Sequence, residues 1–179
     1  MNVPLYHYTT GNKLAPIMAS GKLQPSAAPP WSPNERPVLW FSSSAIYEFS
    51  ALKAIMKPDG ERVFSFSELS RVAGICRFVL HGGAGMLAMQ RWPHVAKRAG
   101  MSYPESLRLA AAGINMGANP DDWYGTFQEC PLETVTFDWL TPCGWESMTL
   151  SDGLAHFEAL GTVVASFSAH QQRITEVTQ

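Results

Sequence analysis

Five prolines stand between Pro25 and Pro37, with Ser, Ala and one Trp among them, a density that neither a helix interior nor a central strand tolerates. The segment is therefore read as a loop, long enough to lie over a cleft. Before it, Val3–Thr10 is rich in β-formers and partly alternating, which predicts a short strand. Period two puts His7 and Thr9 on one face and Tyr6 and Tyr8 on the other. Asn12 is placed to cap a short helix with Leu14, Ile17 and Met18 at helical spacing, and Gly21 to end it.

Beyond the loop, Val38–Phe41 reads as an apolar strand. Ser42–Ser44 then turns into an expected helix bearing Ile46, Phe49, Leu52 and Ile55, closed by the turn Lys57–Gly60. Ile75–Leu80 reads as a buried strand entering the glycine turn His81–Gly85. Helices are expected over Met86–Ala99 and Tyr103–Ile114, the second opened by a Ser102–Glu105 capping box. Asn119–Asp122 is a turn, and Trp123–Glu129 and Glu133–Leu140 are strand-like, the latter alternating Val135, Phe137 and Trp139 with polar residues. From Ser151, the spacing of Leu154, Phe157, Leu160, Val164 and Phe167 predicts a helix with a break near Gly161. Short strands with non-alternating connections predict an α+β fold: one domain over 1–150 with a helical extension, 151–179, packed on it.

At 179 residues and 46% hydrophobic, the chain can bury a sizeable core. Charged residues make up only 16%, against roughly a quarter in an average soluble protein. Thirteen Lys and Arg against fifteen Asp and Glu give a net charge of −2, a poor basis for coating a polyanion. The one local basic stretch is Gln90–Arg98, with Arg91, Lys97 and Arg98, suited either to an acidic target or to a solvated helix face. The sequence has no long apolar run, and Met1–Thr10 lacks the regions of an export signal, so no membrane partner is expected. Cys76, Cys130 and Cys143 are too few and too scattered for a disulfide framework, which points to the reducing cytoplasm. The five histidines form no HxxxH or HExxH pair, so no metal site is expected.

His81-Gly82-Gly83 is similar to an esterase oxyanion loop, but the chain has no GxSxG elbow. GxGxxG and GxxxxGK[ST] are absent too, which leaves Rossmann and P-loop phosphate binding without support. Arg77 lies within an otherwise apolar strand and needs an acidic or phosphate partner.

Tyr6-His7-Tyr8-Thr9-Thr10, the Asn12–Ser20 helix, Gly21-Lys22-Leu23 and then Leu39-Trp40-Phe41-Ser42-Ser43 together resemble the opening of the ADP-ribosyltransferase superfamily. The pattern is most similar to bacterial DNA-targeting ADP-ribosyltransferase toxins and their relatives, and it covers about a third of the chain. The resemblance implies a core of two small mixed sheets with packed helices, NAD in the cleft between them, and no glycine-rich phosphate loop. It implies that His7 bonds a ribose hydroxyl, that Tyr8 and Thr9 and the strand backbone grip the nicotinamide amide, and that Tyr47 stacks on the ring beside Trp40 and Phe41. Ser42 and Ser43 would line the wall, and Arg77 would reach the pyrophosphate. Cleaving the nicotinamide–ribose bond builds an oxocarbenium-like cation that a carboxylate stabilises. By position relative to Pro131-Leu132, that carboxylate is Asp122, one methylene shorter than the family's Glu, or Glu129. The implied activity is ADP-ribose transfer from NAD to DNA, RNA or protein in a toxin, defence or counter-defence setting. The alternatives are NAD hydrolysis and a non-catalytic binding module. A homodimer or an inhibitor protein would be the further partner.

Overall fold

The computed structural model describes residues 3–26, 34–52, 54–57 and 60–161. Its strands are β1 (Leu5–Thr10), β2 (Lys22–Leu23), β3 (Leu39–Ser42), β4 (Ala54–Lys57), β5 (Gly60–Val63), β6 (Ile75–Leu80), β7 (Gln90–Arg91), β8 (Trp123–Thr126), β9 (Cys130–Pro131), β10 (Thr136–Thr141) and β11 (Gly144–Ser147). Its helices are α1 (Leu14–Ser20), α2 (Phe66–Ala73), α3 (Ala84–Leu87), α4 (His94–Ala99), α5 (Tyr103–Asn115) and α6 over 150–161.

The fold is α+β. Seven strands form one sheet in the order β11-β10-β6-β1-β3-β8-β7, and β2–β9 and β4–β5 form two-stranded ribbons. Every pairing among the described residues is antiparallel, so the mixed sheets implied by the resemblance are absent there. The sheet is nevertheless divided. β1 pairs with β6 over six residues but with β3 only at Tyr6↔Ser42, so its two halves diverge beyond that point.

β6 is buried along its whole length, as a nearly continuous apolar run with cover on both faces must be. Alternation divides its side chains between two cores. Cys76, Phe78 and Leu80 join Leu5, Leu14, Phe41, Phe137 and Trp139, with Leu154, Phe157 and Leu160 of α6 packed against them. Ile75 and Val79 join Tyr6, Tyr8, Tyr47 and Leu69, the last from α2. A third cluster, Val38, Val95 and Ala99, seats α4 beside Trp40 and Trp92.

Several expectations hold: Gly21 ends α1 in the left-handed region at φ 68°, and Ser102 and Glu105 complete the capping box of α5. Others are corrected. The helix expected after Ser42–Ser44 is replaced by a single 3₁₀ turn, Phe49–Ala51, and by the β4–β5 ribbon. Tertiary partners there bond the carbonyls of residues 44–46, and those bonds override weak helical periodicity. The long helix expected over Met86–Ala99 is α3, β7 and α4, because Pro93 lacks the N–H that a helix interior needs. Asn12 caps no helix; it lies in a 3₁₀ turn and accepts a hydrogen bond from Thr10 Oγ1 at 2.7 Å. β8 ends at Thr126 and β10 begins at Thr136, so both strands are shorter or shifted relative to the predicted spans. The middle of the proline loop (27–33), Pro58, Asp59 and the helical pattern beyond Gly161 lie outside the described residues.

Gly113 lets α5 approach the cleft wall: an added Cβ would collide with the indole of Trp123. A Gly-to-Ala change inside a helix normally gains about 1 kcal/mol, but overpacking costs about 1–3 kcal/mol. Gly113→Ala is therefore expected to lower stability in urea unfolding, although the helical propensity rises.

Candidate functional site

Where β1 and β3 part, a cleft of about 340 Å³ opens, lined by Tyr6, His7, Tyr8 and Thr9 from one strand and Trp40, Phe41 and Ser42 from the other. Trp92, Trp123 and Leu109 form its outer aromatic and aliphatic wall, and Glu48 and Ser50 line it beside Ser42. The pairing defect in the sheet is thus what creates the cavity. His7 spans the two strands, its Nδ1–H donating to the Trp40 carbonyl at 2.8 Å, and its ring packs 5.7 Å from Phe41. A carbonyl only accepts, so that bond sets the proton on Nδ1.

Glu48 is the acid of this cleft, and sequence reasoning did not single it out. It is 7% exposed. Oε2 accepts from Ser42 Oγ at 2.8 Å, and Oε1 accepts from Ser50 N at 3.2 Å and Ser50 Oγ at 2.7 Å. A carboxylate has about four acceptor positions, so one on Oε2 remains for a ligand hydroxyl. A lone acid in a Ser-rich apolar stretch also reads as a solvated helix position, and only the missing helix reveals its inward placement.

The sequence candidates distribute unevenly. His7, Tyr8, Thr9, Trp40, Phe41 and Ser42 come together at the cleft. Tyr47 is buried behind it, edge-on to Tyr8 at 5.1 Å and to Phe66 at 4.8 Å, in a packing role rather than on the cleft surface. Ser43 and Asp122 pair with each other at 2.7 Å beside the wall, Asp122 also accepting from Asn119 Nδ2 at 3.2 Å. Glu129 lies on the surface, ion-paired with Lys22 at 2.7 Å across the β2–β9 ribbon. Neither Asp122 nor Glu129 lines the cleft.

Arg77 also lies outside the cleft lining. Alternation sends it to the Tyr6/Tyr8 face, where cross-strand register aligns Ser147, Asp138, Arg77 and Tyr8 in one row over β11, β10, β6 and β1. Its Nε donates to Asp138 Oδ2 at 2.9 Å, and Asp138 Oδ1 accepts from Ser147 Oγ at 2.6 Å. The guanidinium sits between the rings of Tyr6 and Trp145, 4.3 and 4.2 Å from their centroids. Of the acidic or phosphate partner that the sequence required for Arg77, the structure supplies the acid, Asp138.

Burial pushes the Tyr8 phenol from its ordinary 10.0 up to about 12, against a smaller lowering by Arg77, and burial raises Tyr47 as well. The folded state thus holds the Tyr8 proton more tightly than the unfolded chain does. Its contribution to stability is fully present below pH 10 and is lost as pH rises toward 12. Denaturation midpoints across that range should fall less steeply in Tyr8→Phe than in the wild type.

Among the described residues, the cleft lining carries Glu48 but no Lys or Arg. Arg36 and Arg98 both lie over the Phe127 ring, at 4.2 and 5.1 Å, and Phe127 packs with the cleft residues Trp40 and Trp92; Arg91 lies 5.4 Å from the ring of Tyr124, which belongs to a different core from Trp40 and Trp92. Among the described residues, no three His, Cys, Asp or Glu side chains are grouped to hold a metal ion, and no helix is long and apolar enough to cross a membrane. Comparison with protein-family models, curated proteins and solved structures returns no match for this chain.

Proposed function

We propose that the protein is an NAD-using ADP-ribosyltransferase-like enzyme of the cytoplasm, acting in the cleft between β1 and β3 with Glu48 as its carboxylate. The observation that carries this reading is the meeting of a buried carboxylate, the strand-bridging His7 and aromatic walls in one cavity at a break in the sheet. Such a cavity suits the nicotinamide–ribose half of NAD: aromatic faces attract the cationic pyridinium ring, and a carboxylate in a partly dehydrated site steadies the sugar cation that forms as nicotinamide leaves. With no Lys or Arg among the described lining residues, the phosphates would lie toward the rim. The Arg36 and Arg98 pair at Phe127 supports a macromolecular acceptor that carries anionic groups.

Purified protein incubated with NAD, with nicotinamide followed by chromatography, tests the reading. Release is expected in the absence of acceptor, with water taking its place, and faster turnover when the acceptor is supplied. No release under either condition overturns it. A second reading, a non-catalytic NAD-binding module, is favoured by the three serine-derived hydrogen bonds that already occupy Glu48. Calorimetric NAD binding without nicotinamide release would select it.

A further inference from the structure

Residues 43–48 belong to no helix or strand, so their backbone groups need partners from elsewhere. Four consecutive carbonyls obtain them from side chains. The Ser44 carbonyl accepts from the Tyr8 hydroxyl, that of Ala45 from Arg77 Nη1, that of Ile46 from Trp145 Nε1 at 2.9 Å and that of Tyr47 from Ser44 Oγ at 3.0 Å. Three of these donors stand on three different strands of the sheet, β1, β6 and β11. The next residue in the chain is Glu48.

We infer that Tyr8, Arg77 and Trp145 form a clamp that sets the position of Glu48 in the cleft, with Arg77 and Trp145 acting as positioning residues from outside it. The buried charge of Arg77 thereby has a use beyond its pair with Asp138. Its Nε is held by Asp138, its plane is held between Tyr6 and Trp145, and Nη1 is left directed at the loop. A guanidinium presents several donors in one rigid plane, whereas a lysine ammonium is a point charge that cannot hold this geometry. Without the clamp, Glu48 would keep one fixed partner, Ser42, held at the end of β3 by its pairing with Tyr6 and Trp123, while Ser50 on the 3₁₀ turn would shift with the segment.

The inference rests on the reading of Glu48 as the reacting carboxylate, and its test separates the two. Trp145→Phe removes one donor and keeps a ring; Arg77→Lys keeps the charge beside Asp138. Amide hydrogen exchange over residues 44–51 is measured in the full chain, together with the melting temperature and with kcat and KM for nicotinamide release. Both variants are expected to raise exchange in that segment about tenfold while exchange in β1 and β6 stays at the wild-type level. They should also lower kcat about tenfold while KM for NAD stays within about threefold, because a displaced catalytic group costs rate before affinity. Unchanged exchange at 44–51 overturns the clamp, and so does faster exchange with wild-type kcat. Faster exchange in variants of a wild type that releases no nicotinamide upholds the clamp and overturns the reading of Glu48 instead.

Discussion

Glu48→Gln is expected to abolish most nicotinamide release, by a factor of about 100–1000, while the protein keeps its fold and its affinity for NAD. Removing one preorganised electrostatic group from an active site typically costs that much. The substitution is nearly isosteric, and the hydroxyls of Ser42 and Ser50 can still donate to the amide oxygen or rotate to accept from its nitrogen, so the local network survives. What disappears is the negative charge beside the developing sugar cation. Single-turnover release assays compared with calorimetric NAD affinity would show it. Glu129→Gln is the contrast, since Glu129 sits on the surface with Lys22, and release within about twofold of wild type is expected there. Equal loss in both variants, or none in Glu48→Gln, would return the search to another carboxylate.

Asp138→Ala is expected to cost about 3–5 kcal/mol of stability, the largest single effect on folding predicted for this chain, because it leaves a buried guanidinium without its counter-ion. Both partners are nearly sealed from water, Arg77 at 8% and Asp138 at 6% exposure. Arg77 would retain the Ala45 carbonyl and two aromatic faces, which lessen the penalty without replacing the charge. Replacing both members, as in Arg77→Met with Asp138→Leu, should cost less than Asp138→Ala alone, since no isolated charge remains. Denaturant unfolding of the three variants would test this ordering; a double variant less stable than Asp138→Ala would contradict it. The double variant also loses one arm of the clamp on residues 44–46, so its recovered stability should not bring recovered turnover.

Legibility followed how local each signal was. Gly21, the Ser102–Glu105 box and the turn at Asn119–Asp122 were readable because each is decided within a few residues of backbone. The β1 alternation was readable too, and it correctly separated His7 from Tyr8. The helix after Ser42–Ser44 misled because Ile46, Phe49 and Leu52 do have helical spacing, while the donors that hold the segment out of a helix stand 32 to 99 residues away in sequence. Losing that helix is what turned Glu48 inward. The identity of the cleft acid was therefore hidden by the same error that misassigned the secondary structure.

By itself the sequence determined the α+β class, the faces of β1 and the need of Arg77 for an acidic or phosphate partner. All of these follow from local periodicity, from turn chemistry or from the cost of an unpaired buried charge. The tertiary structure alone decided that the partner is Asp138, that β1 and β3 touch at a single residue pair and so leave a cavity, and that Glu48 rather than Asp122 or Glu129 enters it. Those outcomes depend on the register between strands far apart in the chain, where a shift of one residue would send every side chain to the opposite face.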